Sequence, residues 1–184
     1  KIAYGTDNIL KGPAMSRENA IKAIETGINL VGNMKECGYN IIATGEMGIG
    51  NTTTSSAIAS VLLNAPVEEV TGKGAGLTSK GLERKIQVIK ESIRLNDPDL
   101  NDPIDVLSKV GGYDIAGLAG VFIGGAVYNI PIVIDGFISA VAALVASKIE
   151  HKTIEYMLPS HVSKEPAGKM LLEALDLKPF ITCE

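Results

Sequence analysis

Tryptophan is absent from this 184-residue chain, aromatic residues make up 4% of it, and cysteine occurs only as Cys37 and Cys183. Two cysteines so far apart make neither a disulfide framework nor a metal site, and a reducing, cytoplasmic compartment is expected. Scarce aromatics exclude base-stacking platforms. Charges are interspersed at a net of −4 with no basic stripe, so nucleic acid is not an expected partner. The chain opens on Lys1 with no positively charged, apolar leader and reads as a piece cut from something longer. It shows no internal repeat or low-complexity tract.

Apolar residues supply 46% of the chain, mostly Ile, Val, Leu and Ala, enough for one α/β domain over residues 1–184 with a single core. The stretch 115–134 carries no charge and is long enough to span a bilayer. Gly117, Gly120, Gly124 and Gly125 interrupt it, Asn129-Ile130-Pro131 breaks it, and Asp135 follows at once. It reads as a buried helix over 114–128 and a core strand over 130–134, with a membrane span as the alternative.

The remaining pattern predicts a helix over 17–36 capped by Ser16 and stopped by Gly38, a strand over 40–44 and a helix over 53–64. A short strand over 67–71, helices over 78–95, 103–110 and 137–149, a strand over 154–158 and a helix over 165–175 complete it. Apolar strands alternating with helices indicate an α/β fold with a parallel, Rossmann-like sheet covered by helices on both faces. Ligands of such sheets bind beyond the carboxyl ends of the strands. That rule brings together the Glu46 loop, Asp135-Gly136 and residues 160–163.

Most informative is Gly45-Glu46-Met47-Gly48-Ile49-Gly50-Asn51-Thr52-Thr53-Thr54, directly after the apolar Ile41-Ile42-Ala43. A strand ending in a glycine turn that opens a helix presents free backbone N–H groups, an anion-binding arrangement. Gly48 and Gly50 allow close backbone approach, and Asn51, Thr52 and Thr53 can donate to phosphate oxygens. The P-loop is excluded because the loop has no lysine, and the dinucleotide fingerprint because Thr53 stands where its third glycine belongs. A carboxylate at the mouth, Glu46, calls for a cationic neighbour or a positive charge on the substrate. Taken alone, the same turn also fits a plain strand-to-helix connection with capping side chains.

Five ordered segments carry a resemblance. They are Gly45 through Thr53; Val70-Thr71-Gly72-Lys73-Gly74 with Gly76-Leu77; Asp105-Val106-Leu107 with Gly111-Gly112; Val133-Ile134-Asp135-Gly136-Phe137-Ile138; and Ser160-His161-Val162-Ser163-Lys164-Glu165-Pro166. In these the chain resembles the nicotinate-nucleotide:dimethylbenzimidazole phosphoribosyltransferase family of cobalamin lower-ligand assembly. The resemblance implies transfer of 5-phosphoribose from nicotinate mononucleotide to 5,6-dimethylbenzimidazole, giving α-ribazole 5′-phosphate and nicotinate, in a homodimer without cofactor or metal. A neutral leaving ring needs no metal-bound pyrophosphate, and no acidic metal cluster stands in the sequence.

By matching position, the resemblance implies that the donor phosphate meets Gly48, Ile49, Gly50, Asn51, Thr52 and Ser163. Glu46 and Asp135 become the carboxylates facing the ribose, with Lys85 as their basic neighbour. Each has a plainer reading: Asp135 as a turn or cap, Ser163 as a helix cap, Lys85 and Lys73 as solvated lysines, His161 as a packed or surface side chain. The family's general base falls beyond Glu184, which is not that group. A non-catalytic phosphate-binding module is therefore the alternative to a transferase.

Overall fold

The computed structural model describes residues 1–181; Thr182, Cys183 and Glu184 lie outside the described residues. Helix α1 (Arg17–Glu36) starts where the Ser16 hydroxyl accepts the Asn19 amide. It stops at Gly38, whose φ of 87° turns the chain back so that the Gly38 and Tyr39 amides reach the carbonyls of Lys35 and Met34. Strand β1 (Ile42–Ala43) leads to α2 (Asn51–Leu62), which begins ahead of the expected residue 53. Gly50, at φ 86°, makes this early start, and the Asn51 amide bonds the Gly48 carbonyl.

Residues expected as a strand over 67–71 instead form the helical turn α3 (Val67–Val70). Pro66 sets the entry, the Glu69 amide bonds the Pro66 carbonyl, and two acidic side chains favour the positive end of a helix. Next come α4 (Ser79–Asn96), α5 (Pro103–Val110), α6 (Tyr113–Tyr128), β2 (Ile132–Ile134) and α7 (Phe137–Ile149). The strand expected over 154–158 is displaced. A 3-10 turn (His151–Tyr156), held by Thr153 donating to the Glu150 carbonyl, delays β3 to Met157–Pro159. Pro166 and a tight turn from Glu165 to Gly168 likewise delay α8 to Gly168–Ala174.

The sheet is parallel in the order β1-β2-β3. Ile42 lies opposite Ile132, which lies opposite Met157, and Ile134 lies opposite Pro159. Ile181 adds a parallel bridge to His161 beyond β3. Helices α6 and α7 both pack on β2. Residues 137–147 of α7 are buried without exception, which explains a helix that is apolar all round.

The charge-free run owes its glycines to a close helix crossing. A side-chain carbon on Gly27 of α1 would strike the backbone of Gly117, and one on Gly120 of α6 would strike the Ile24 carbonyl. Gly124 is closed off in the same way by Val31. No described helix is long and apolar enough to cross a membrane, and the run divides between α6 and β2. Gly120→Ala gains helix propensity but meets a backbone that cannot step aside. We expect unfolding free energy to fall by roughly 2 kcal/mol in urea titration; native-like stability would mean that the two helices separate freely.

Candidate active site

The parallel register brings three loops to one edge. From β1, the Thr44 amide and hydroxyl both donate to the Val133 carbonyl, at 3.0 and 2.8 Å, and the chain continues into Gly45-Glu46. After β2 comes Asp135, exposed to solvent. After β3, Ser160 donates its hydroxyl proton to the Ile134 carbonyl at 2.7 Å and lies 3.2 Å from the Asp135 carbonyl. With that proton committed, the 2.9 Å contact between Ser160 Oγ and His161 Nδ1 makes Nδ1 the donor. His161 thus braces the corner.

Glu46 is exposed, so it needs no buried cation. Its carboxylate accepts from the Gly48 amide at 2.9 Å and from the Asn51 side-chain amide. The second Asn51 N–H hydrogen goes to Asp114 at 2.9 Å. Gly48 and the Asn51 side chain, two of the sequence-predicted phosphate donors, are therefore bonded to carboxylates. A side-chain carbon on Gly48 would sit 2.5 Å from Asn51 Nδ2 and 2.6 Å from Asp114 Oδ2, so a larger residue would push this bonded pair of side chains aside. The amides of Ile49, Gly50 and Thr52 donate to no other group among the described residues. They are the open donors of the α2 terminus.

Two clefts flank that terminus. One, of about 470 Å³, lies between residues 3–6, the turn at Gly48 and the start of α6 at Tyr113 and Asp114. The other, of about 320 Å³, is bounded by Gly50, Thr52 and Thr53, the glycine loop from Lys73 to Leu77, and Lys85. Gly74, at φ 56°, folds that loop onto Thr52 so closely that an added side-chain carbon would lie 2.9 Å from the threonine hydroxyl.

Lys85 corrects both expectations made for it. It is 7% exposed, not solvated, and its ammonium donates to Thr52 Oγ1 at 2.9 Å and to the Gly72 carbonyl at 3.0 Å. Neither Glu46 nor Asp135 is a hydrogen-bond partner of this ammonium, and the charge that favours its protonated form is that of Glu165. Desolvation holds its pKa below the usual lysine range, with Glu165 pulling the other way. The sequence carried the signal, because Lys85 stands three residues after Leu82 and four before Ile89, inside the apolar stripe of α4. Ser163 is half-buried, lines neither cleft, and accepts the Glu165 amide at 3.3 Å.

The family model described as phosphoribosyltransferase matches residues 1–184. A relative from Ruminiclostridium cellulolyticum, named nicotinate-nucleotide:dimethylbenzimidazole phosphoribosyltransferase, is 60% identical over 184 residues, all of this chain and 52% of the relative. Its namesake from Clostridium acetobutylicum is 58% identical over 98% of this chain and 51% of its own. The chain belongs to this phosphoribosyltransferase family. The crystal structure of CobT from Thermus thermophilus matches with a TM-score of 0.92 at 36% identity, over 99% of this chain and 54% of that one. The chain thus spans about half the length of the curated relatives it matches. Within this chain, Asp114 and Glu165 make contacts to which the sequence motifs assigned no role. Asp114 carried one cue, an acid in the first turn of a helix.

Burial of the Lys85 ammonium has a consequence for stability. Because its pKa is lower in the folded than in the unfolded chain, the unfolded state binds more proton between the two values, and stability rises with pH there. Relative to Lys85→Met, the native chain should therefore gain stability as pH increases from neutral through the free-lysine range. Urea titrations at several alkaline pH values check this; a flat or falling difference would contradict the burial.

Proposed function

We propose that the chain is the nucleotide-binding domain of a transferase moving 5-phosphoribose from nicotinate mononucleotide to a ring nitrogen of 5,6-dimethylbenzimidazole. Its products are α-ribazole 5′-phosphate and nicotinate. The observation that carries this reading is the α2 terminus. Open amides at Gly50 and Thr52 border a cleft in which the Lys85 ammonium, with two of its three protons committed, keeps one donor for a phosphate oxygen, and the open Ile49 amide stands on the adjoining cleft. Because Lys85 donates to Thr52 Oγ1, the threonine's own proton is directed outward to the ligand. Gly48, Asn51 and Ser163 shape and support the phosphate loop in this reading.

Glu46 and Asp135 follow neighbouring strands and face the ribose of a mononucleotide so anchored. As the glycosidic bond breaks, its electron pair passes to the pyridinium nitrogen, which leaves neutral, while positive charge grows on the sugar. Carboxylates beside that sugar stabilise the charge. The incoming base forms the new bond through its ring nitrogen and gives up a proton to a group outside the described residues. The relatives' names favour a transferase over a non-catalytic phosphate-binding module. A cytoplasmic homodimer is part of the same reading.

Incubating the longer protein that contains this domain with nicotinate mononucleotide and 5,6-dimethylbenzimidazole should yield α-ribazole 5′-phosphate by mass spectrometry, whereas the domain alone should bind the mononucleotide with slow transfer or none; binding without product in the longer protein would favour the module. Thr52→Val should weaken mononucleotide binding by roughly 1–3 kcal/mol in calorimetry. Unchanged affinity would remove the phosphate from this cleft.

A further inference from the structure

Glu165 follows β3 and packs against Gly72, next to the loop from Lys73 to Leu77 that bounds the Lys85 cleft. Its Oε2 is buried and has no hydrogen-bond partner in the protein. It presses on Gly72, where an added side-chain carbon would collide with that oxygen and lie 2.8 Å from Pro166 Cδ. The Gly72 carbonyl in turn accepts from Lys85, and Lys85 donates to Thr52. A carboxylate oxygen buried without a donor is costly unless a nearby charge compensates it. The Gly72 peptide links the two groups: its α-carbon lies against this oxygen and its carbonyl accepts from Lys85, whose charged form Glu165 favours.

We infer that Glu165 is a positioning residue of the transferase. Its carboxylate backs the Lys85 ammonium and holds the glycine loop against α2, so that a cation stands ready under the mononucleotide phosphate. This rests on the proposed phosphate site. Without Glu165, burial alone would act on Lys85 and favour the uncharged amine, which neither attracts a phosphate nor holds Thr52 as a directed donor.

The elements around Lys85 leave few other charges to take this part. Helix α2 carries no ionisable side chain, Glu68 of α3 is bonded to Lys90, and Glu69 is exposed. Asp105 and Lys109 of α5 pair at 2.9 Å. Lys73 lines the same cleft and adds a like charge, which makes an acid behind Lys85 more necessary.

The test follows mononucleotide binding against pH in the full chain. In the native protein, affinity should fall on the alkaline side as Lys85 loses its proton, and Lys85→Met should abolish that limb. Glu165→Gln keeps the shape but removes the charge, and should move the limb to lower pH by about one unit or more. Glu165→Asp, which keeps the charge, should return it toward the native position. A limb unmoved in folded Glu165→Gln, or moved equally by Glu165→Asp, would overturn the inference and assign Glu165 to packing. Absence of mononucleotide binding in the native chain would instead overturn the proposed phosphate site.

Discussion

A lysine ammonium removed from water has to be compensated, and around Lys85 that requirement brings separate parts of the chain together. Helix α4 supplies the cation, the turn after α3 supplies a carbonyl, the first turn of α2 supplies a hydroxyl, and the segment after β3 supplies a carboxylate. Thr52, Gly72 and Lys85 come from successive parts of residues 52–85, and Glu165 from far along the chain. The glycines between them follow from the same demand. Gly72 must admit Glu165 and Gly74 must lie on Thr52, so neither position has room for a side chain.

A second set of glycines works at the opposite scale. Where Gly27, Gly117 and Gly120 bring α1 and α6 into backbone contact, the helices are held by dispersion across a tight crossing, with few large side chains between them. This rigid pair packs beside the sheet whose carboxyl edge carries Glu46 and Asp135. At α6, the first turn also offers Asp114 to Asn51, so the helix that closes the core fixes the ligand loop as well.

Much of this architecture was legible because parallel strands have apolar centres, Ile42–Ala43 forming within the expected 40–44 and Ile132–Ile134 within 130–134, and because Ser16 and Thr78 mark helix starts through their side chains. Residues 67–71 misled because Val and Thr favour strands, whereas proline and two acids decide for a helical turn. The segment 154–158 misled because capping by Glu150 competes with strand pairing until Met157. For the site, the glycine turn and its two carboxylates could be placed from spacing and the edge rule. The bonding of Gly48 and Asn51 to acids, and the turning of Lys85 onto Thr52 and Gly72, depend on contacts between separate segments that no local pattern encodes.

Strand β1 finds its partner only across a long separation: Ile42 pairs with Ile132, a difference of 90 positions. Closing so large a loop must be repaid by contacts formed on both sides of it, and non-local parallel pairing of this kind slows folding. During synthesis, helices α1 to α6 leave the ribosome before the strand that completes the first ladder. The glycine-lined α1 and α6 crossing, which spans nearly the same interval, is suited to hold the ends together while that ladder forms.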